Sequence, residues 1–241
     1  NFSVGFGHVF RVKRRDSDEF IAMSRAAGAF DRPERGVSSV GLEWSGFEGW
    51  EFAVFNHYGW DTFNTAYAEL QWGCDGEYLP VSWNFGLQFT DQRSVGEAWL
   101  GDFNTQHVGA RAALRYKRFT ATLIGTLTGS GAGIRNPWGG SPSYASSMIA
   151  NFDRSGEAAV RLALQADASP LVQGLSGVVS LGHGDTSDGP NPGEQQEIDL
   201  TVDYRPPVLE GLWFRVRHAW RTLDGETTTD LRFILNYERL F

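Results

Sequence analysis

A single cysteine, Cys74, stands in 241 residues, which excludes an intrachain disulfide framework and any multi-cysteine metal site. One thiol also suits a chain that passes through an oxidising compartment. No stretch approaches the ~18 consecutive apolar residues of a membrane-spanning helix. The longest weakly polar windows, Phe119 to Leu127 and Leu231 to Leu235, fall far short. Basic residues are in deficit: 21 Lys and Arg against 29 Asp and Glu leave a net charge of −8. A nucleic-acid partner would ask for a clustered basic excess and is not expected. His8, His57, His107, His183 and His218 lie far apart, in no ligand spacing such as HExxH, so neither metal nor other cofactor is implied. There is no GxSxG elbow. The glycine-rich 129–140 lacks the Lys-Ser/Thr end of a phosphate loop and reads as a long, flexible external loop. Chemistry of a catalytic kind is therefore not expected. The sequence opens at Asn1 without a Met or a signal peptide, as a mature product, a fragment or an incomplete chain would.

What is present is alternation. An aromatic content of 14% excludes disorder, and the apolar residues recur at period two, the mark of a strand with unlike faces. In 228–241 Leu231, Phe233, Leu235, Tyr237 and Phe241 oppose Arg232, Asn236 and Glu238. In 212–221 Leu212, Phe214, Val216 and Trp220 oppose Arg215, Arg217 and Arg221. Ile198, Leu200, Val202 and Tyr204 oppose Glu197, Asp199, Thr201 and Asp203. Ala158, Val160, Leu162 and Leu164 oppose Arg161, Gln165 and Asp167. Phe119, Ala121, Leu123 and Leu127 oppose Thr120, Thr122, Thr126 and Thr128. Val108 to Tyr116 sets alternate apolar positions against His107, Arg111 and Arg115, and Val81 to Phe89 does so against Ser82, Asn84 and Gln88. With 63–73, 49–58, 37–46, 174–184 and 2–13 these make about twelve strands of roughly ten residues, the length at which a tilted strand crosses a bilayer.

The connections alternate too. Short links at 206–210, 168–173, 116–118, 74–79 and 47–48 take turns with mostly longer ones at 185–195, 129–157, 91–103 and 14–36. The links 222–227 and 59–62 are the weak members of the long set. Short turns at one end and long loops at the other form the pattern of an outer-membrane barrel. Trp44, Trp50, Trp72, Trp83, Tyr116, Phe119, Tyr204, Trp213, Tyr237 and Phe241 lie beside the short links, as an interfacial girdle would. No low-complexity linker divides 1–241, so one transmembrane domain is expected, with the possibility left open that strands precede Asn1.

A soluble sandwich and a lipid-embedded barrel both alternate, so the charge on the polar face discriminates. That face carries Arg11, Lys13, Arg111, Arg115, Arg161, Arg215, Arg217, Arg221 and Arg232. Most acidic residues fall in connections, among them Asp16, Asp91, Asp102, Asp185, Asp188 and Glu194. Guanidiniums along a narrow aqueous passage lower the barrier for anions. The opposing expectation is that they pair with Glu69, Glu197, Asp199 and Asp203 and merely fill the interior.

Three segments resemble the OprD family of outer-membrane porins. They are Ser141-Pro-Ser-Tyr-Ala-Ser-Ser-Met-Ile-Ala-Asn-Phe-Asp-Arg-Ser-Gly-Glu157, Leu209-Glu-Gly-Leu-Trp-Phe-Arg-Val-Arg-His-Ala-Trp220 and Asp230-Leu-Arg-Phe-Ile-Leu-Asn-Tyr237. A terminal Phe241 behind an amphipathic strand is similar to the assembly signal of such barrels, with Arg239 departing from its pattern. The resemblance is best over 141–241. It implies an eighteen-stranded, substrate-specific channel for small carboxylate-bearing or amino-acid-like solutes in the bacterial outer membrane. Membrane lipid is an expected partner, and a homo-oligomer such as a trimer is left open. It also implies that loop 129–157 narrows the pore, making Arg135, Tyr144 and Arg154 constriction candidates. Twelve strands then mean either the C-terminal part of such a porin or a smaller, closed twelve-stranded barrel. A barrel-borne lipid hydrolase, a non-conducting structural barrel and a soluble carbohydrate-binding sandwich are the competing readings.

Overall fold

The computed structural model describes residues 1–14, 17–76, 81–187 and 189–238. Phe241, Arg239, Asp16, Glu77 and Asp188 lie outside the described residues, as does the side chain of Asp75. One antiparallel twelve-stranded sheet dominates. Its strands are β1 (Phe2–Val9), β4 (Val37–Trp44), β5 (Trp50–Gly59), β6 (Phe63–Asp75), β7 (Val81–Ser94), β8 (Asn104–Tyr116), β9 (Phe119–Thr128), β10 (Ala158–Asp167), β11 (Leu175–Asp185), β12 (Glu194–Tyr204), β13 (Leu212–Leu223) and β14 (Glu226–Tyr237). Each pairs with its neighbour in the chain order, as a meander does.

Several expectations change in detail. The strand expected over 2–13 breaks at Phe10: Arg11–Lys13 forms a separate short strand, β2, which pairs with β3 (Phe20–Ala22) ahead of the single-turn helix α1 (Met23–Ala26). Arg11 and Lys13 therefore leave the main sheet, and Arg11 pairs with Glu34 at 2.9 Å. Asp91, Asp185 and Glu194 sit inside strands rather than connections. At the loop end the link between β13 and β14 shrinks to Asp224 and Gly225, both at positive φ, because a tight hairpin needs that conformation. The described strands do not form a closed twelve-stranded barrel: β1 pairs with β4 alone and β14 with β13 alone, so both edges of the sheet are unpaired among the described residues.

The two faces are inverted relative to a water-soluble protein. On the outer face Phe85, Leu200 and Phe233 are 38%, 43% and 75% exposed. The register lines such residues up across strands, for example Leu70–Leu87–Ala110 and Val202–Val216–Phe233. Thr90, Gln92, His107, Gln195 and Glu197 on the inner face are instead buried. An apolar belt of this extent facing out, with polar groups inside, suits hydrocarbon outside and an aqueous passage within. Trp50, Trp83, Tyr116, Phe119 and Tyr237 gather on the outer face at the short-turn end. Trp213 does not join them: it lies on the inner face, its Nε1 donating to Asp203.

Candidate functional site

Loop 129–157 starts at the loop end and folds back against the inner face, so it is packed rather than free. Its backbone is held by strand side chains. Gln92 of β7 makes a reciprocal pair with Arg135, accepting from its N–H at 2.8 Å and donating to its carbonyl at 2.9 Å. Gln88 accepts the Tyr144 N–H at 3.1 Å. Glu197 of β12 accepts the N–H groups of Ile149 and Ala150 at 2.9 and 2.6 Å. Arg161 donates to the Ser146 carbonyl, and Arg232 to that of Met148. An apolar island, Ala145, Ala150 and Phe152 on the loop with Ile124 and Ala159 on the wall, lies between these anchors.

The predicted pore-lining arginines all sit in β8, β10, β13 or β14 on the inner face, but their electrostatic states differ. Arg215 is neutralised by a bidentate bond to Asp203 at 2.6 and 2.9 Å and lies over the Trp213 ring. Arg232 pairs with Asp230. Arg161 lies 3.5 Å from Asp199 and donates to Ser180. Arg111 donates to the neutral Gln71 and Asn84 and sits 4.8 Å from the Tyr144 ring centre. Arg217 reaches Thr201, and Arg221 donates twice to Gln195. Among the described residues Arg111, Arg115, Arg217 and Arg221 thus have no carboxylate within salt-bridge distance. The expectation that carboxylates merely neutralise the wall holds for Asp203 and, more loosely, Asp199. Glu197 instead holds loop amides, and Glu69 accepts from Tyr144 and Gln71.

The loop candidates act through structure as much as charge. Arg154 grips the buried Glu157 through its own N–H and its guanidinium, and Gln195 donates to the same carboxylate at 2.6 Å. Tyr144 Oη donates to Glu69 at 2.5 Å, and burial with this bond pushes the phenol's pKa up. Arg135 donates to the Leu100 carbonyl and lies 3.7 Å from the Phe103 ring centre. Burial pulls its pKa below the ordinary value. A cavity of about 340 Å³ beside it is lined by His57, Thr65, Tyr67 and Trp138. Sequence reasoning named Glu69 on the acidic side of the passage and missed Glu43 and Glu51. Glu43, Glu51 and Glu69 on β4, β5 and β6 line a cavity of about 390 Å³ together with Gln71, to which Arg111 of β8 donates. Glu43 and Glu51 share the alternation that exposed the arginines and could have been read with them. Among the described residues no cluster of three or more metal-ligating side chains occurs.

The sequence matches the family model described as outer membrane porin, OprD family, over residues 1–241. No curated protein matches it. Among solved structures it is similar to the outer membrane protein OpdK from Pseudomonas aeruginosa, with a TM-score of 0.86 at 21% identity over 98% of this chain and 65% of that one. It is also similar to OccK2 (OpdF) of the same organism in complex with glucuronate, with a TM-score of 0.85 at 20% identity over 98% and 67%. OccAB3 from Acinetobacter baumannii gives a TM-score of 0.86 at 14% identity over 98% and 64%. The chain spans about 65% of the length of the OpdK structures. Matched from residue 1 to residue 241, it belongs to the OprD family of outer-membrane porins.

Proposed function

We propose that this chain forms most of the wall of a passive outer-membrane channel for small carboxylate-bearing solutes. Residues 1–241 act as one barrel domain whose outer belt meets membrane lipid. Hydrocarbon offers no partner to a bare strand edge, so in the membrane β1 and β14 are both paired. The single observation behind the solute class is the set of inner-face guanidiniums with no carboxylate within salt-bridge distance among the described residues, Arg111, Arg115, Arg217 and Arg221. Arg217 and Arg221 lie on one face of β13, roughly 13 Å apart at ~3.3 Å per residue. Each can meet a carboxylate with a planar fork, and the spacing lets an anion pass between successive cations. The carboxylates Glu43, Glu51 and Glu69 add a place for an ammonium group near the guanidinium of Arg111, so zwitterions would be oriented in the passage. OpdK has been solved with vanillate and OccK2 with glucuronate, both carboxylates. OprD-family porins are channels rather than enzymes, which favours transport over a barrel-borne hydrolase.

Reversal potentials across planar bilayers under a salt gradient test this reading. Anion preference is expected in the native channel. Replacing Arg217 and Arg221 with Ala should reduce it, each step on the order of 1 kcal/mol for a charge ~4 Å from the ion path in water. Replacing Arg215 and Asp203 together with Ala should change it less, because the two charges already cancel. Cation preference in the native channel would overturn the proposal.

A further inference from the structure

We infer that the bore of the passage is set from the strand side, at inner-face positions where the polar alternation lapses: Gly86, Ile124, Ala159, Gly182 and Gly184. This rests on the channel reading above, with loop 129–157, folded back against the inner face, narrowing the passage.

The glycines are seats for the loop's rings. A Cβ on Gly86 would lie 2.7 Å from Tyr144 Oη. One on Gly182 would lie 2.6 Å from Phe152 Cζ, and one on Gly184 2.9 Å from Phe152 Cδ1 and 2.1 Å from Glu157 Oε1. None of the three has positive φ, so their backbones would accept any residue and glycine is present for space alone. Glycine inside a strand costs stability, and close approach of another group is the usual reason for it. Between the seats, Ile124 and Ala159 offer apolar contact to Ala145, Ala150 and Phe152.

Gly86 and Gly182 share one cross-strand row with the charged anchors, and Gly184 lies on the adjacent inner row, opposite Ala159 and Gln195. Register runs Gln71–Gly86–Arg111–Ile124–Arg161–Gly182–Glu197 across seven strands. Along this row an absent side chain admits a ring, and the next charged group holds it: Arg111 over the Tyr144 ring, Glu197 on the amides just before Phe152. How far the loop stands off the wall, and so how much lumen it leaves, is decided by what these wall positions lack. A packed contact cannot absorb an added side chain without displacement.

The test is single-channel conductance of the whole porin chain in planar bilayers, with folding checked by the heat-shifted mobility of intact barrels on gels. Gly182→Val should push Phe152 and its loop into the lumen and lower conductance about two-fold or more, as overpacking displaces its neighbours. Adding Phe152→Ala to that variant should restore conductance, because volume has then only moved from loop to wall. If Gly182→Val does not fold, Gly182→Ala carries the test, since its Cβ alone makes the 2.6 Å approach. Excising 141–149 in otherwise native protein should raise conductance and addresses the underlying reading by itself. Altered conductance on excision with none in the Gly182 variants, or without rescue by Phe152→Ala, would overturn the seats and leave the loop's role standing. No change in any variant would overturn both.

Discussion

Glu197→Ala removes the carboxylate that holds the loop at Ile149 and Ala150. Glu197 is 2% exposed, so water does not compete for these bonds. A hydrogen bond to a charged group contributes about 1.5–3 kcal/mol net, and a buried N–H left without an acceptor costs about 1–3 kcal/mol. Against these losses stands the relief of no longer burying a carboxylate, itself worth several kcal/mol. A net weakening of loop docking by about 3 kcal/mol follows, or roughly a hundredfold in the ratio of docked to undocked loop. Amide hydrogen exchange reads that ratio directly. The amides of 149 and 150 should exchange roughly a hundredfold faster, while those in the ladders of β11, β12 and β13 keep their protection. Glu197→Gln retains one acceptor oxygen and should fall between. Unchanged exchange at 149 and 150 would refute the clamp, and so would an equal rise throughout β12, because the carboxylate would then be supporting the sheet rather than the loop.

Burial pushes the Asp153 pKa up from 3.8 to about 6, despite bonds from Asn136 and Ser141. A carboxyl raised on docking takes up a proton as the loop seats, so this contribution is full below about pH 4 and is lost as pH rises through about 6. Open-channel noise should therefore grow between pH 4 and pH 7, and Asp153→Asn should flatten the profile; a native profile that is already flat excludes the linkage. Trp138 stacks on Phe63 at 4.8 Å and donates Nε1 to the Met23 carbonyl at 2.8 Å, joining loop 129–157 to the segment around α1. Trp138→Ala should cost about 2–4 kcal/mol of local stability and speed proteolysis within 17–36, whereas equal cleavage rates would show that the segments are held independently. Detergent dependence checks the outer belt, since a chain soluble without detergent is incompatible with it.

The architecture was legible because period two survives in nearly every strand. Ala158–Asp167 and Phe119–Thr128 are bounded in the sequence by a change of pattern and begin and end there in the structure. Strand ends at the loop side were harder to see. In β7, β8 and β12 pairing continues past the apolar run into Asp91, Asn104 and Glu194, where both faces are polar and hydropathy carries no signal. The break at Phe10 is invisible for the opposite reason: alternation persists through Val12 while the chain leaves β4 for a local hairpin. Periodicity specifies a face, not a partner.

The site divides in the same way. Inward arginines follow from strand parity, so Arg111, Arg217 and Arg221 could be named from the sequence. Whether each is neutralised depends on cross-strand register, which parity alone does not give: Asp203 falls opposite Arg215, whereas Thr201 falls opposite Arg217. Loop 129–157 carries no period, and its path was not readable from its own residues. Its footprint was readable on the strands. The threonine series of β9 runs 120, 122, 126 and 128 and skips Ile124, while β7 and β11 place glycine where their inner faces should carry polar side chains. An apolar or missing side chain on a lumen face gains nothing from water, and a missing one also weakens the strand. Where several such positions align in register across neighbouring strands, something must cover them, and a lapse in alternation then identifies the surface that an aperiodic loop will occupy.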